Sequence, residues 1–152
     1  MVTLKKAGQE DCQTIFQWRN HPKVREHFFD VREITYSEHS KWFEESLQRN
    51  DRIILIAYDG PHAVGVIRFD VVKTEPKEAE IDIYVAPELL GQGFGKKILA
   101  EAENWNKKNL QVKSLIARVK EENQASVKMF KWSGFKSIYI QLRKNLGPLK
   151  GL

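Results

Sequence analysis

The chain predicts a mixed α/β fold, a central sheet flanked by helices, on three observations. Apolar runs of strand length alternate with stretches of helical period along most of its length. Two of the strands, residues 52–59 and 63–72, are joined by Gly60-Pro61 and read as an antiparallel hairpin. A third strand, residues 80–85, passes through a Pro-bounded turn into three glycines at alternate positions, Gly91, Gly93 and Gly95, and then into a helix opening on Lys96 and Lys97.

Taken in order, residues 2–7 form a short strand and residues 10–19 a helix whose stripe is Cys12, Ile15, Phe16 and Trp18. Asn20-His21-Pro22 stops that helix, and residues 23–29 start another helical turn. Ser37 reads as the N-cap of a helix to Gln48 that turns His39, Trp42, Phe43 and Leu47 inward. The hairpin follows, then a turn at residues 74–77 containing Pro76. Beyond the glycines, residues 96–109 are helical, with Ile98, Leu99, Ala102 and Trp105 on one face. Residues 113–119 are a buried strand, residues 125–133 a helix ended by Gly134, and residues 135–143 the last strand.

At 152 residues the chain supports one well-buried core, so residues 1–152 are read as a single domain. With 41% hydrophobic and 30% charged residues, its composition is that of an ordinary soluble protein. No apolar run approaches the roughly 20 residues of a membrane span, and the first residues, MVTLKKAGQED, lack the apolar stretch of a signal peptide. Cys12 is the only cysteine, which excludes an intrachain disulfide and points to the cytoplasm. No metal is expected. Charge is uneven: from Gly91 onward there are 13 Lys and Arg against 4 Asp and Glu. The surplus coincides with the glycine loop and suits an anionic ligand better than nucleic acid, since no recognition helix or aromatic RNA motif accompanies it.

Glycine allows positive φ and close approach of backbone, and a helix N-terminus offers free N–H groups to an anion. The loop is therefore read as a pyrophosphate cradle. It is not a Walker loop, which ends in Gly-Lys-Ser/Thr, and it lacks the context of a Rossmann fingerprint. Residues Leu90, Gly91, Gln92, Gly93, Phe94 and Gly95 resemble the acetyl-CoA motif of the GNAT family of N-acetyltransferases, Arg/Gln-x-x-Gly-x-Gly/Ala, with Leu90 at the Arg/Gln position. Residues 122–135 are similar to the family's Asn-x-x-Ala-x-x-x-Tyr-x-x-x-Gly-Phe, with Asn123, Gly134 and Phe135 matching, Ser126 at the Ala position and Phe130 at the Tyr. The order of elements is also that of the GNAT fold. Its pattern closes with two strands after the Gly-Phe corner, of which one is legible here.

The resemblance implies acetyl-CoA as co-substrate. It is expected to be held by the backbone at Ile83, Tyr84 and Val85, by residues 90–95 and Lys96, and by Asn123, Ser126 and Phe130. In the family a tyrosine hydroxyl often protonates the departing thiolate; Phe130 has no such proton, and Ser126, one turn earlier, is a candidate hydrogen-bond donor to the sulfur. Direct transfer needs a base for the attacking amine and stabilisation of an oxyanion. Glu80, Asp82 and Tyr84 alternate with Ile81, Ile83 and Val85, placing three polar groups on one strand face. Glu80 is the first candidate base and Asp82 the second. Trp18-Arg19-Asn20 and His39-x-x-Trp42-Phe43 resemble the branch of ribosomal-protein N-terminal and amino-sugar acetyltransferases. Arg19, Phe28, His39 and Trp42 are the candidate acceptor contacts, with Arg19, Arg25 and Arg32 suited to a nucleotide diphosphate and the aromatics to stacking on a base or sugar.

The function expected is acetyl transfer to the primary amine of a small molecule, best a nucleotide-linked amino sugar. The alternatives are protein N-terminal acetylation and a CoA-binding module without catalysis. A homodimer is expected through the apolar C-terminal strand.

Overall fold

The computed structural model describes residues 1–149. Five strands form one mixed sheet in the order β1-β2-β3-β4-β5: β1 (Val2–Lys6), β2 (Arg52–Asp59), β3 (His62–Thr74), β4 (Lys77–Val85) and β5 (Ser114–Ile116). The first four are antiparallel neighbours; β5 returns parallel to β4 after a helical crossover. Five helices flank the sheet: α1 (Cys12–Asn20), α2 (Pro22–Arg25), α3 (Tyr36–Leu47), α4 (Phe94–Lys108) and α5 (Gln124–Trp132).

Each sheet face carries its own core. Leu55, Ile67, Phe69, Ala79, Ile81 and Val85 pack against Ile98, Leu99 and Ala102 of α4 and Met129 and Phe130 of α5. On the other face Ile54, Ile56 and Val66 meet Cys12 and Ile15 of α1 and Phe43 of α3. The period of two in β2 feeds both layers, and the helical stripe read at Ile98, Leu99 and Ala102 is fully buried.

Five local expectations are corrected. The cap of α3 is Thr35, not Ser37: its hydroxyl accepts from Glu38 N–H at 3.1 Å while the Glu38 carboxylate accepts from Thr35 N–H at 2.9 Å, a reciprocal pair that fixes the start two residues earlier. The turn after Pro22 is four residues long, and 26–35 continue without regular structure. Helix α4 begins at Phe94, so Gly95 and Lys96 lie inside its first turn. Residues 135–143 form no strand because they have no neighbour to pair with, and β5 covers only three of the seven residues expected of it because its pairing with β4 ends at Ile116. Among the described residues no helix is long and apolar enough to cross a membrane.

Candidate functional site

The pairing of β4 with β5 ends at Glu80 opposite Ile116, while β4 continues to Val85. Between those points the sheet opens. Ala86 N–H donates to Val64 O at 2.9 Å, so the antiparallel alternation directs the backbone of Tyr84 and Asp82 toward β3 and leaves the amides of Ile83 and Val85 facing the opening. Lys113 N–H donates to Lys77 O at 2.8 Å, which confirms that odd-numbered residues of β4 face the β5 side.

Above the opening, Gly91 (φ 79°) and Gly93 (φ 82°) are left-handed, and a Cβ on either would meet nothing within 4 Å. Gly93 caps α4 without any side-chain bond, so the first amides of a 15-residue helix remain free. Gly95 serves a different purpose: its Cβ would lie 2.8 Å from Met129 Sδ, so it is there to let α5 approach α4. Lys96 reaches back over the Trp132 ring at 4.9 Å. At the head of α5, the Asn123 side chain accepts from Ser126 N–H at 3.3 Å and is buried, while Ser126 is half-buried. Phe130 is core, edge-on to Phe135 at 5.0 Å.

The polar face of β4 looks toward α1 and α3. Asp82 lines a cavity of about 20 Å³, room for one water, with Ile15, Trp42, Ile54, Val66, Arg68 and Tyr84. Desolvation raises its proton affinity above the ordinary carboxylate value, opposed by Arg68, whose Nη2 stands 4.0 Å away. Arg68 is held in turn: its Nε donates to Asp70 at 2.8 Å, Asp70 also accepts from Arg52 at 2.6 Å, and both guanidinium groups lie over the Trp42 ring. Glu80 instead accepts from Arg118 Nε at 3.2 Å, across the point where the strands part. Arg118 also covers the Phe29 ring at 5.4 Å.

Tyr84 meets Phe28 edge-on at 5.6 Å, and Phe28 carries the Arg19 guanidinium on its face at 5.4 Å. Burial pushes the Tyr84 hydroxyl strongly toward its neutral form and lowers the Arg19 pKa. Among the described residues no carboxylate pairs with Arg19; it reaches only Arg32 O at 3.3 Å and Asn20 Oδ1 at 3.5 Å. Arg19, Phe28, Trp42 and Asp82 thus gather on one side of β4. His39 does not join them: it is 1% exposed, stacked on Phe43 at 5.8 Å in the packing of α3 against α1.

This combination of a splayed mixed sheet, a glycine-capped helix above the gap and a polar strand face beneath it has a match. The acetyltransferase (GNAT) domain family aligns with residues 2–136. The chain belongs to that family, and it is an acyltransferase. Acetyltransferase PseH of Campylobacter jejuni is 27% identical over 138 residues, 89% of this chain and 85% of that protein. Two solved GNAT structures share the fold. Spermidine N-acetyltransferase from Vibrio cholerae, in complex with CoA and spermine, gives a TM-score of 0.81 at 19% identity over 88% of this chain and 79% of its own. An aminoglycoside acetyltransferase in complex with coenzyme A gives 0.80 at 18%, over 90% and 84%.

Reading the sequence alone missed Arg68 and Arg118. The signal was present for Arg68, which stands with Asp70 as a pair of opposite charges inside a largely apolar strand. Its pairing with Asp82 rests on the β3–β4 register, which a bulge between Val71 and Lys73 shifts.

Proposed function

We propose that the protein transfers the acetyl group of acetyl-CoA directly to the primary amine of a nucleotide-linked amino sugar. The observation that carries the reading is the convergence on one opening of the Ile83 and Val85 amides, the glycine-capped start of α4 behind two left-handed glycines, and the polar face of β4. A backbone this open accepts a diphosphate without side-chain obstruction. Acetyl-CoA supplies the activated thioester.

The chain's own groups divide the remaining work. The amides of Phe94, Gly95 and Lys96 bind the pyrophosphate, and Asn123 and Ser126 border the pantetheine arm. The Ile83 and Val85 N–H groups, which face the opening, are the donors for the acyl oxygen. Asp82, with its raised proton affinity beside a water-sized cavity, takes the amine proton directly or through that water. Glu80 holds Arg118 and so fixes the mouth. With Phe130 unable to donate, the Ser126 hydroxyl is the candidate hydrogen-bond donor to the leaving thiolate.

The acceptor class follows from Arg19 over Phe28, an unpaired cation on an aromatic face at the edge of the site, suited to phosphate and ring together. The likeness of Trp18-Arg19-Asn20 and His39-x-x-Trp42-Phe43 to the amino-sugar branch points the same way. Release of free thiol from acetyl-CoA across nucleotide-linked amino sugars, polyamines and peptide N-termini tests it. The highest kcat/KM is expected for the sugars; faster turnover of peptides or polyamines overturns the acceptor assignment.

A further inference from the structure

Behind Asp82 the polar face of the sheet carries a row of charges that alternate in sign. Strand register sets Arg52 opposite Asp70 across β2 and β3, and Arg68 opposite Asp82 across β3 and β4. Arg68 and Asp70 are two residues apart on β3 and therefore share a face, which gives the order Arg52, Asp70, Arg68, Asp82. The far end of the row is anchored: Arg52 Nη1 donates to the buried Ser46 Oγ of α3 at 3.1 Å, and both guanidinium groups lie over the Trp42 ring, at 5.4 and 5.9 Å. Glu80, which the register also sets opposite Asp70, turns to Arg118 instead.

Arg68 stands between two carboxylates and is shared unequally. Its Nε donates to Asp70 Oδ2 at 2.8 Å, whereas its Nη2 stays 4.0 Å from Asp82 Oδ2, beyond hydrogen-bond length. Asp82 is its direct cross-strand neighbour, so attraction alone would close that gap; the bond to Asp70 withholds it. A carboxylate bonded to a guanidinium is a poor base, because the partner stabilises the charged form. We propose that Asp70 is a positioning residue: by holding Arg68 it keeps the guanidinium off Asp82 and leaves that carboxylate basic enough to take the amine proton. The inference rests on Asp82 being the base of the proposed transfer.

Removing the Asp70 charge acts on Asp82 by three routes of one sign. Arg68 is released toward it, Arg52 loses its counter-charge, and the repulsion between the two carboxylates disappears; each favours the charged form of Asp82. The other titratable groups facing Asp82 are Glu80 and Tyr84 of its own strand, while α1 and α3 present Ile15 and Trp42 to it.

Asp70→Asn removes the charge and keeps the shape. NMR titration of the Asp82 side-chain carboxyl, on protein without substrates, is paired with the pH profile of kcat/KM for the amine that the thiol-release panel turns over fastest. The Asp82 midpoint and the acid limb of the profile are both expected to fall by about one pH unit, and Asp70→Glu is expected to restore them. In an Arg68→Gln background Asp70→Asn is expected to lose most of its effect, because the guanidinium it would release is gone. Circular dichroism checks that each variant is folded, and Asp70→Ser, expected to give the same fall, replaces an Asp70→Asn chain that does not fold. A folded charge-removing variant whose Asp82 midpoint is unchanged or raised overturns the proposal, as does an undiminished shift in the Arg68→Gln background. A midpoint that falls while Asp82→Asn keeps full kcat/KM supports the withholding of Arg68 and overturns the reading of Asp82 as the base.

Discussion

Glu80 and Asp82 stand two residues apart on one face of β4, and their neighbours assign them different work. Glu80 is tied to Arg118, while Asp82 borders a water-sized cavity with Arg68 at the limit of ion-pair reach. Asp82→Asn is therefore expected to lower kcat by roughly 10²- to 10⁴-fold at neutral pH. Glu80→Gln is expected to cost less than about tenfold, with acetyl-CoA affinity kept in both; steady-state kinetics and calorimetric titration read the difference. His39 yields a stability prediction. Among the described residues neither buried ring nitrogen has a hydrogen-bond partner, and burial lowers the pKa below the ordinary value. Between the two pKa values the unfolded chain binds the proton and the folded one does not, so stability falls as pH drops below about 6.5. His39→Phe should flatten Tm between about pH 7 and pH 5 by removing that uptake.

The loop from β4 to α4 separates two uses of glycine. Gly93 needs its left-handed backbone and faces open space, whereas Gly95 needs the absence of a side chain against Met129. Gly93→Val is expected to weaken acetyl-CoA binding at least about tenfold by placing a β-branched residue at positive φ beside the free amides. Gly95→Val is expected to destabilise by about 1–3 kcal/mol through overpacking of α4 on α5. Adding Met129→Ala should recover part of the Gly95→Val cost and none of the Gly93→Val loss of affinity. Thermal unfolding and calorimetry on the single and double variants check both statements.

Across the whole molecule the sheet keeps two cores apart, one under α4 and α5 and one under α1 and α3. Phe69 and Phe43 are fully buried, one in each. Each change to Ala is expected to cost about 3–5 kcal/mol, and the two costs should add, because the residues share no partners. Their functional consequences should differ. Phe43 supports His39 and, through it, Trp42 at the floor of the Asp82 cavity. In the folded protein, Phe43→Ala should therefore raise the acceptor KM while leaving acetyl-CoA affinity unchanged.

Local periodicity determined most of the elements: the hairpin strands, the buried stripe of α4 and the shared face of Glu80, Asp82 and Tyr84 are consequences of spacing alone. The glycine loop and the residues around it, and with them the GNAT family, were legible for the same reason, since a helix start and the conformations of Gly91 and Gly93 depend on near neighbours. Tertiary structure decided what depends on distant partners. Arg68 meets Asp82, and Arg118 meets Glu80, only through strand register and the parting of β4 from β5. The cap at Thr35 is the exception: Glu38, three residues on, closes it locally, so its signal lay in the sequence and reading Ser37 as the cap passed over it. His39 went into the packing of α3 against α1 instead of the site. Residues 135–143 have the composition of a strand and form none, because a strand's hydrogen bonds are made with a neighbour the segment does not choose.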